Sequence, residues 1–153
     1  AKKCTESGIS VIIDTAGNVD YKAFNKVLPY VHEYYVDLKG ATEEDYCNNT
    51  GGSLALTVQN MTKLINAGAN VTARLPIIPG YNDTLEYCRC MAEVLKPMGV
   101  KIVHLLPFHK LCVSKYQALG KLFLCETLVP PGKQRMQELT EAFNKDFYVS
   151  IQE

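Results

Sequence analysis

No stretch of this sequence stays apolar long enough to cross a membrane, and its first eight residues, Ala1-Lys2-Lys3-Cys4-Thr5-Glu6-Ser7-Gly8, lack the apolar core of a signal peptide. The chain is therefore expected to be soluble and cytoplasmic. There is no charge surplus either: sixteen Lys and Arg balance sixteen Asp and Glu. That leaves no electrostatic footprint for nucleic acid or an anionic membrane, and neither is expected as a partner. Internal repeats and low-complexity linkers are missing, so the 153 residues read as a single domain, 1–153, long enough to bury a sizeable core. The six cysteines (4, 47, 88, 90, 112 and 125) offer no Cys-x-x-Cys and no Cys/His spacing of a metal site. Only Cys88 and Cys90 are close, and two residues apart on a helix they face different ways. All six read as buried or idle thiols, and no metal ligand is assigned. Four Asn-x-Thr triplets, at Asn48, Asn60, Asn70 and Asn82, would matter only in a secreted protein and read as chance.

What is present is a run of strands that end in chemistry. Tyr34-Tyr35-Val36-Asp37-Leu38-Lys39-Gly40 carries an acid and a base two apart, and on a strand such residues emerge on the same face. Residues 9–13 form a β-branched apolar run, expected to be a strand buried on both faces, and it stops at Asp14-Thr15-Ala16-Gly17. Val71, Ala73 and Leu75 alternate with Thr72 and Arg74, a strand ending in Pro76-Ile77-Ile78-Pro79-Gly80. Residues 100–106 make a further strand, ending in Pro107-Phe108-His109, and Tyr148-Val149-Ser150-Ile151 a closing one.

Helical periods lie between them. Asp20 can cap a helix with Phe24, Val27, Leu28 and Val31 inward, stopped or kinked at Pro29. Thr42-Glu43-Glu44-Asp45 opens a short helix that Gly51-Gly52 breaks. Ser53 opens a longer one with Leu54, Val58, Met61 and Ile65 inward and Gly68 at its end. Asn82 or Asp83 caps another, with Leu85, Cys88, Ala92 and Leu95 inward. Residues 110–131 show no clear period beyond a helical turn, and Met136, Leu139 and Phe143 mark the last helix. Strands alternating with helices predict an α/β fold with a parallel sheet.

Four consecutive strands thus place a titratable or cationic residue at or near the carboxyl end: Asp14, Asp37 with Lys39, Arg74, and His109. Singly, each has a plain structural reading: a solvated salt pair, a strand ion pair, a surface histidine. Recurring at one end of a sheet, they make a candidate site.

These residues also resemble a known family. Asp14-Thr15-Ala16-Gly17, Val36-Asp37-Leu38-Lys39, the run from Arg74-Leu75-Pro76 through Gly80-Tyr81-Asn82-Asp83, and Leu105-Leu106-Pro107-Phe108-His109 with Lys115-Tyr116 and Leu119-Gly120 are similar in order and spacing to the glycyl-radical-enzyme activating enzymes of the radical S-adenosylmethionine (SAM) superfamily, such as the pyruvate formate-lyase activating enzyme. The resemblance implies a partial parallel (β/α) barrel, here about four βα units of six. It implies an activase in which a [4Fe-4S] cluster cleaves SAM, and the 5′-deoxyadenosyl radical takes a hydrogen from a glycine of a partner glycyl radical enzyme of the pyruvate formate-lyase kind. Carried over, Asp37 and Lys39 would lie along the SAM ribose and methionine carboxylate, and His109 would contact the nucleoside. Asp14 would meet the methionine amino group or a nearby monovalent cation, and Arg74 would lie at the same mouth.

The sequence departs from the family in one respect that matters. The family's Cys-x-x-x-Cys-x-x-Cys loop and its Gly-Gly-Glu segment are not here, and no three cysteines have the spacing a cluster needs. Cys112 stands where the family usually has glycine. The chain is expected to match the carboxyl-terminal two-thirds of such an enzyme, to hold part of the SAM site without the cluster, and to be inactive alone. It is also expected to self-associate through an exposed edge strand at residues 9–13. Two other expectations stay open: a Schiff-base aldolase-like (β/α) enzyme using Lys39, and a non-catalytic interaction module.

Overall fold

In the computed structural model, which describes residues 1–152, the alternating stretches become five strands: β1 (Ile12–Thr15), β2 (Glu33–Asp37), β3 (Val71–Ile77), β4 (Ile102–Pro107) and β5 (Tyr148–Ile151). All neighbours pair in parallel in the order β1-β2-β3-β4-β5, so each crossover returns to the next position in one sheet. The helices are α1 (Lys2–Glu6), α2 (Lys22–Val27), α3 (Glu43–Thr50), α4 (Leu54–Asn66), α5 (Leu85–Leu95), α6 (Val113–Ala118) and α7 (Lys133–Thr140). Four βα units and a fifth strand make an open part of a (β/α) barrel. Among the described residues no helix is long and apolar enough to cross a membrane.

Local chemistry explains most of the boundaries. The Asp20 carboxylate accepts from Lys22 N at 2.9 Å, and Pro29 turns the end of α2 into a 3-10 turn at Leu28–Tyr30. Thr42 and Ser53 cap α3 and α4 through their hydroxyls, which accept from Asp45 N at 3.1 Å and Leu56 N at 3.2 Å. Such caps contribute about 1 kcal/mol each. The Glu43 carboxylate reaches from α3 to accept from Ala55 N at 2.8 Å, and this bond lowers its pKa.

Three expectations need correction. The first strand begins at Ile12, not at residue 9. It is an edge strand with Ile9 59% and Ile12 48% exposed, because only β2 pairs with it and its inner face carries no helix. The cap of α5 is Thr84, whose Oγ1 accepts from Tyr87 N at 3.1 Å. Asn82 is used otherwise: its Nδ2 donates to Pro76 O at 2.8 Å and its Oδ1 accepts from Ile78 N at 2.7 Å. On α4 the buried positions are Leu54, Thr57, Asn60, Met61 and Leu64, while Val58 and Ile65 are only half-buried. The helix is rotated because the loop after β1 leaves carbonyls that need donors. Asn60 Nδ2 donates to Gly17 O and Val19 O, both at 2.7 Å, and the Thr57 hydroxyl lies 3.3 Å from Ala16 O.

The third strand runs through Pro76 to Ile77, within the segment expected to end it. A proline in an inner strand costs a ladder bond unless its N–H side faces nothing. The Arg74 carbonyl accepts from Leu38 N at 2.8 Å, so Pro76, two residues on, points the same way, past the end of β2.

Register and burial divide the sheet. Tyr34, Val36, Leu38, Ala73, Leu75, Ile77, Val103 and Leu105 all lie on one face and are fully buried under helices α2 to α5 and α7. Each contributes about 1.5–3 kcal/mol if a Val, Leu or Ile. The opposite face carries Asp14, Glu33, Tyr35, Asp37, Thr72, Arg74, His104 and Ser150.

Candidate functional site at the carboxyl edge of the sheet

The polar face gathers its charges at one edge because the strands are in register there. Asp37 on β2 pairs with Arg74 on β3, and Asp14 on β1 pairs with Tyr35, two residues below Asp37. Lys39 lies just past the end of β2, where the alternation persists, and shares the face of Asp37 as period two requires. The four side chains form one chain of ion pairs. Lys39 Nζ lies 2.7 Å from Asp37 Oδ2, Arg74 Nε lies 3.9 Å from Asp37 Oδ1, and Arg74 Nη1 donates to Asp14 Oδ2. Signs alternate along it, so the charges compensate one another. Asp37 Oδ1 is buried and makes no hydrogen bond; Arg74 Nε, 3.9 Å away, meets it as an ion pair only.

The backbone that carries these groups is tied down from the helix side. Tyr87 OH on α5 accepts from Ala41 N at 3.1 Å and donates to Asp45 Oδ2 at 3.0 Å, which fixes the turn after Lys39. Burial pushes the Tyr87 hydroxyl's pKa up, so it stays a neutral bridge. Behind Asp14, Gly17 has φ +69° and a Cβ there would lie 2.9 Å from Val36 Cγ1, so no other residue fits the turn. Asn18 locks the same loop to α4: its Nδ2 donates to Ser53 O at 2.6 Å and its Oδ1 accepts from Ser53 N at 3.2 Å.

Of the five candidates, Asp14, Asp37, Lys39 and Arg74 touch in series. His109 lies at the same edge, two residues past β4, but contacts none of them: its Nδ1 accepts from Leu111 N at 3.3 Å. It shares with Arg74 a cavity of about 760 Å³ also lined by Leu106, Met136 and Gln152. Lys39 lines a separate cleft of about 590 Å³ with Asp45, Pro76, Tyr81 and Tyr87. Both volumes fall in the range of small-molecule sites, about 300–1,000 Å³.

Two residues of this face escaped the sequence reading. Tyr35 lies against Arg74, whose Cζ is 5.6 Å from the ring centroid, and His104 meets Tyr35 edge-on with centroids 5.6 Å apart. Burial lowers the His104 pKa, Glu33 opposes this and Arg74 adds to it. Extending the period-two pattern back from Asp37 reaches Tyr35, but His104 follows only from knowing that β4 pairs with β3 at Arg74.

None of the thiols touches the ion-pair chain, although Cys125 lines the cleft beside Lys39. Cys88 is buried, and desolvation pushes its pKa up to about 11; Cys4, Cys47 and Cys90 are exposed, and Cys112 and Cys125 half-buried. Among the described residues no three His, Cys, Asp or Glu side chains gather in a way that could hold a metal ion. Asn60 and Asn82, heads of two Asn-x-Thr triplets, are buried.

No protein-family model matches the chain. It is 32% identical over 143 residues to the trans-4-hydroxy-L-proline dehydratase activating enzyme of Clostridioides difficile, covering 92% of this chain and 47% of that protein. It is 32% identical over 153 residues to the choline trimethylamine-lyase activating enzyme of Oleidesulfovibrio alaskensis, covering 97% and 49%. It is 29% identical over 134 residues to the pyruvate formate-lyase 2-activating enzyme of Escherichia coli K12, covering 88% and 46%. The chain thus spans about half the length of these relatives, not the two-thirds expected. In fold it matches a crystallised domain of the pyruvate-formate lyase-activating enzyme from Bacteroides vulgatus, with a TM-score of 0.78 at 18% identity over 99% of this chain and 86% of that one. A radical SAM methyltransferase from Sphaerobacter thermophilus matches with a TM-score of 0.73 at 13% identity, over 95% and 42%. Neither the aldolase nor the interaction-module expectation finds support among the relatives. By sequence, over nearly all of its length, this chain is a relative of the glycyl-radical-enzyme activating enzymes, and its fold is that of radical SAM domains.

Proposed function

We propose that this chain carries part of the SAM site of a radical SAM activase, which draws a hydrogen atom from a glycine of a partner glycyl radical enzyme of the pyruvate formate-lyase kind. The observation that carries the reading is the ion-pair chain Asp14–Arg74–Asp37–Lys39 at the carboxyl edge, with Asp37 Oδ1 buried and without a hydrogen bond at its centre. SAM offers a carboxylate, an ammonium and a ribose diol, and a site mixing acids and bases can pair each of them. Lys39 would take the methionine carboxylate, Asp37 a ribose hydroxyl, Asp14 the amino group or a monovalent cation, and His109 the nucleoside. Arg74 would hold the two acids in place at the mouth. When bound beside a [4Fe-4S] cluster, SAM supplies the hydrogen-abstracting radical. The described residues do not gather a ligand set for that cluster, so it has no place in the steps assigned to this chain.

On this reading the chain is one cytoplasmic domain, and its exposed β1 edge supports self-association. The test of the site is backbone amide mapping on titration with SAM. Saturable shifts are expected at Lys39, Arg74 and His109. Their absence, or shifts confined to the opposite edge of the sheet, would remove the proposal.

A further inference from the structure

We infer that Tyr35, braced by His104, is a positioning residue that holds the Arg74 guanidinium in its bridging orientation. β2 lies between β1 and β3, so an arginine of β3 that reaches Asp14 on β1 has to cross it. Tyr35 is the residue of β2 that lies level with Asp14, and the guanidinium carbon is 5.6 Å from its ring centroid. That is within the range of a cation–π contact. The ring is pinned in turn from β4, where His104 meets it at an interplanar angle of 69°. Arg74 and Tyr35 therefore cross: one side chain leaves β3 toward β1, the other leaves β2 toward β4.

The crossing decides which arms of Arg74 are used. Nη1 is on Asp14 and Nε faces Asp37, while Nη2 has no hydrogen bond to a described residue, and Arg74 lines the cavity it shares with His109. An arginine without a platform keeps many rotamers and loses them only when bound. Released from Tyr35, the guanidinium would swing onto Asp37, compete there with Lys39, and hydrogen-bond Oδ1. With Tyr35 in place, Asp37 Oδ1 stays without a hydrogen bond and Arg74 keeps a free arm.

Two measurements test this, and only the second rests on the SAM reading. The first is the Arg74 Nε–Hε resonance of the whole chain. In the wild type the neighbouring Arg74 protons should be shifted by the Tyr35 ring current and Hε protected from exchange. Tyr35→Phe should keep both, Tyr35→Leu should speed Hε exchange about tenfold, and His104→Leu, which removes only the brace, should give a smaller change in the same direction. A wild type without the shift, or Tyr35→Leu with protection unchanged, overturns the inference; should Tyr35→Leu not fold, the wild type and His104→Leu still decide. The second is SAM affinity by calorimetry. Tyr35→Leu should weaken it about tenfold, Tyr35→Phe should restore it, and in an Arg74→Gln background the Tyr35→Leu loss should vanish. Losses that add in full overturn the coupling. A wild type that does not bind SAM ends the ligand reading, and the arginine measurement then stands alone.

Discussion

Tyr34, Val36 and Leu38 are fully buried on the helix side of the sheet, whereas Tyr35, Asp37 and Lys39, interleaved with them, are partly exposed on the other. The same few residues thus serve two surfaces with opposite rules. On the helix side, exclusion of water makes each methylene count and leaves little room for change. On the polar side, the carboxyl edge arranges four alternating charges, a carboxylate oxygen without a hydrogen bond and a cavity. All-parallel sheets usually carry cover on both faces, and here helices cover one. The lesson is that stability and binding should separate by residue parity along the strands.

The comparison is broken most forcefully from the helix side. Leu75→Ala, in the middle strand at full burial, should cost about 2–5 kcal/mol of stability in urea denaturation. SAM affinity of the folded fraction should be unchanged. One residue of opposite parity gives the converse: Lys39→Ala should weaken SAM binding by about 1–3 kcal/mol and shift stability by no more than about 0.5 kcal/mol. A Lys39→Ala protein that loses stability but keeps its SAM affinity would reduce the Asp37–Lys39 pair to a plain salt bridge.

Much of this division was legible in the sequence, since period two puts Asp37 and Lys39 together and hydroxyl caps announce α3 and α4. What was not legible depends on partners that only tertiary structure supplies. The Thr57 and Asn60 side of α4 faces inward because loop carbonyls at Ala16, Gly17 and Val19 need donors, which outweighs the apolar period through Val58 and Ile65. Asn82 looked like a cap because it precedes a helix, but the orphaned Pro76 carbonyl claims it and Thr84 takes over. Arg74 reaches Asp14 across an intervening strand, a contact sixty residues long that no local pattern encodes. His109 was read at the right edge, but its separation from Lys39 into another cavity follows from the loop after β4.

The edge of the sheet offers a smaller test of the same contrast. β1 has one strand neighbour, and Ile9 and Ile12 are exposed beside it, which is the pattern of an edge that pairs with another chain. Light scattering over a concentration series should show association in the wild type and less of it in Val11→Lys. A monomeric wild type that the lysine leaves unchanged would show that this edge is not sticky.

The smallest effect expected comes from His104, which lies on the polar face yet is partly withdrawn from water. Burial lowers its pKa from the ordinary 6.5, Arg74 pushes in the same direction, and Glu33 opposes them. A histidine depressed in the folded state takes up its proton later than the unfolded chain does as pH falls. Its contribution is therefore fully present above the unfolded value of 6.5 and is lost as pH drops through the lower folded value. Protonation would also place a second cation beside Arg74, against the ring that carries it. Urea midpoints measured from about pH 7.5 down to about pH 5 should decline in the wild type, and His104→Gln should remove part of that slope. Carboxylates titrate mainly below this window, so the difference between the two proteins isolates the imidazole. Equal slopes would show that the polar face leaves His104 as free to take a proton as the unfolded chain does.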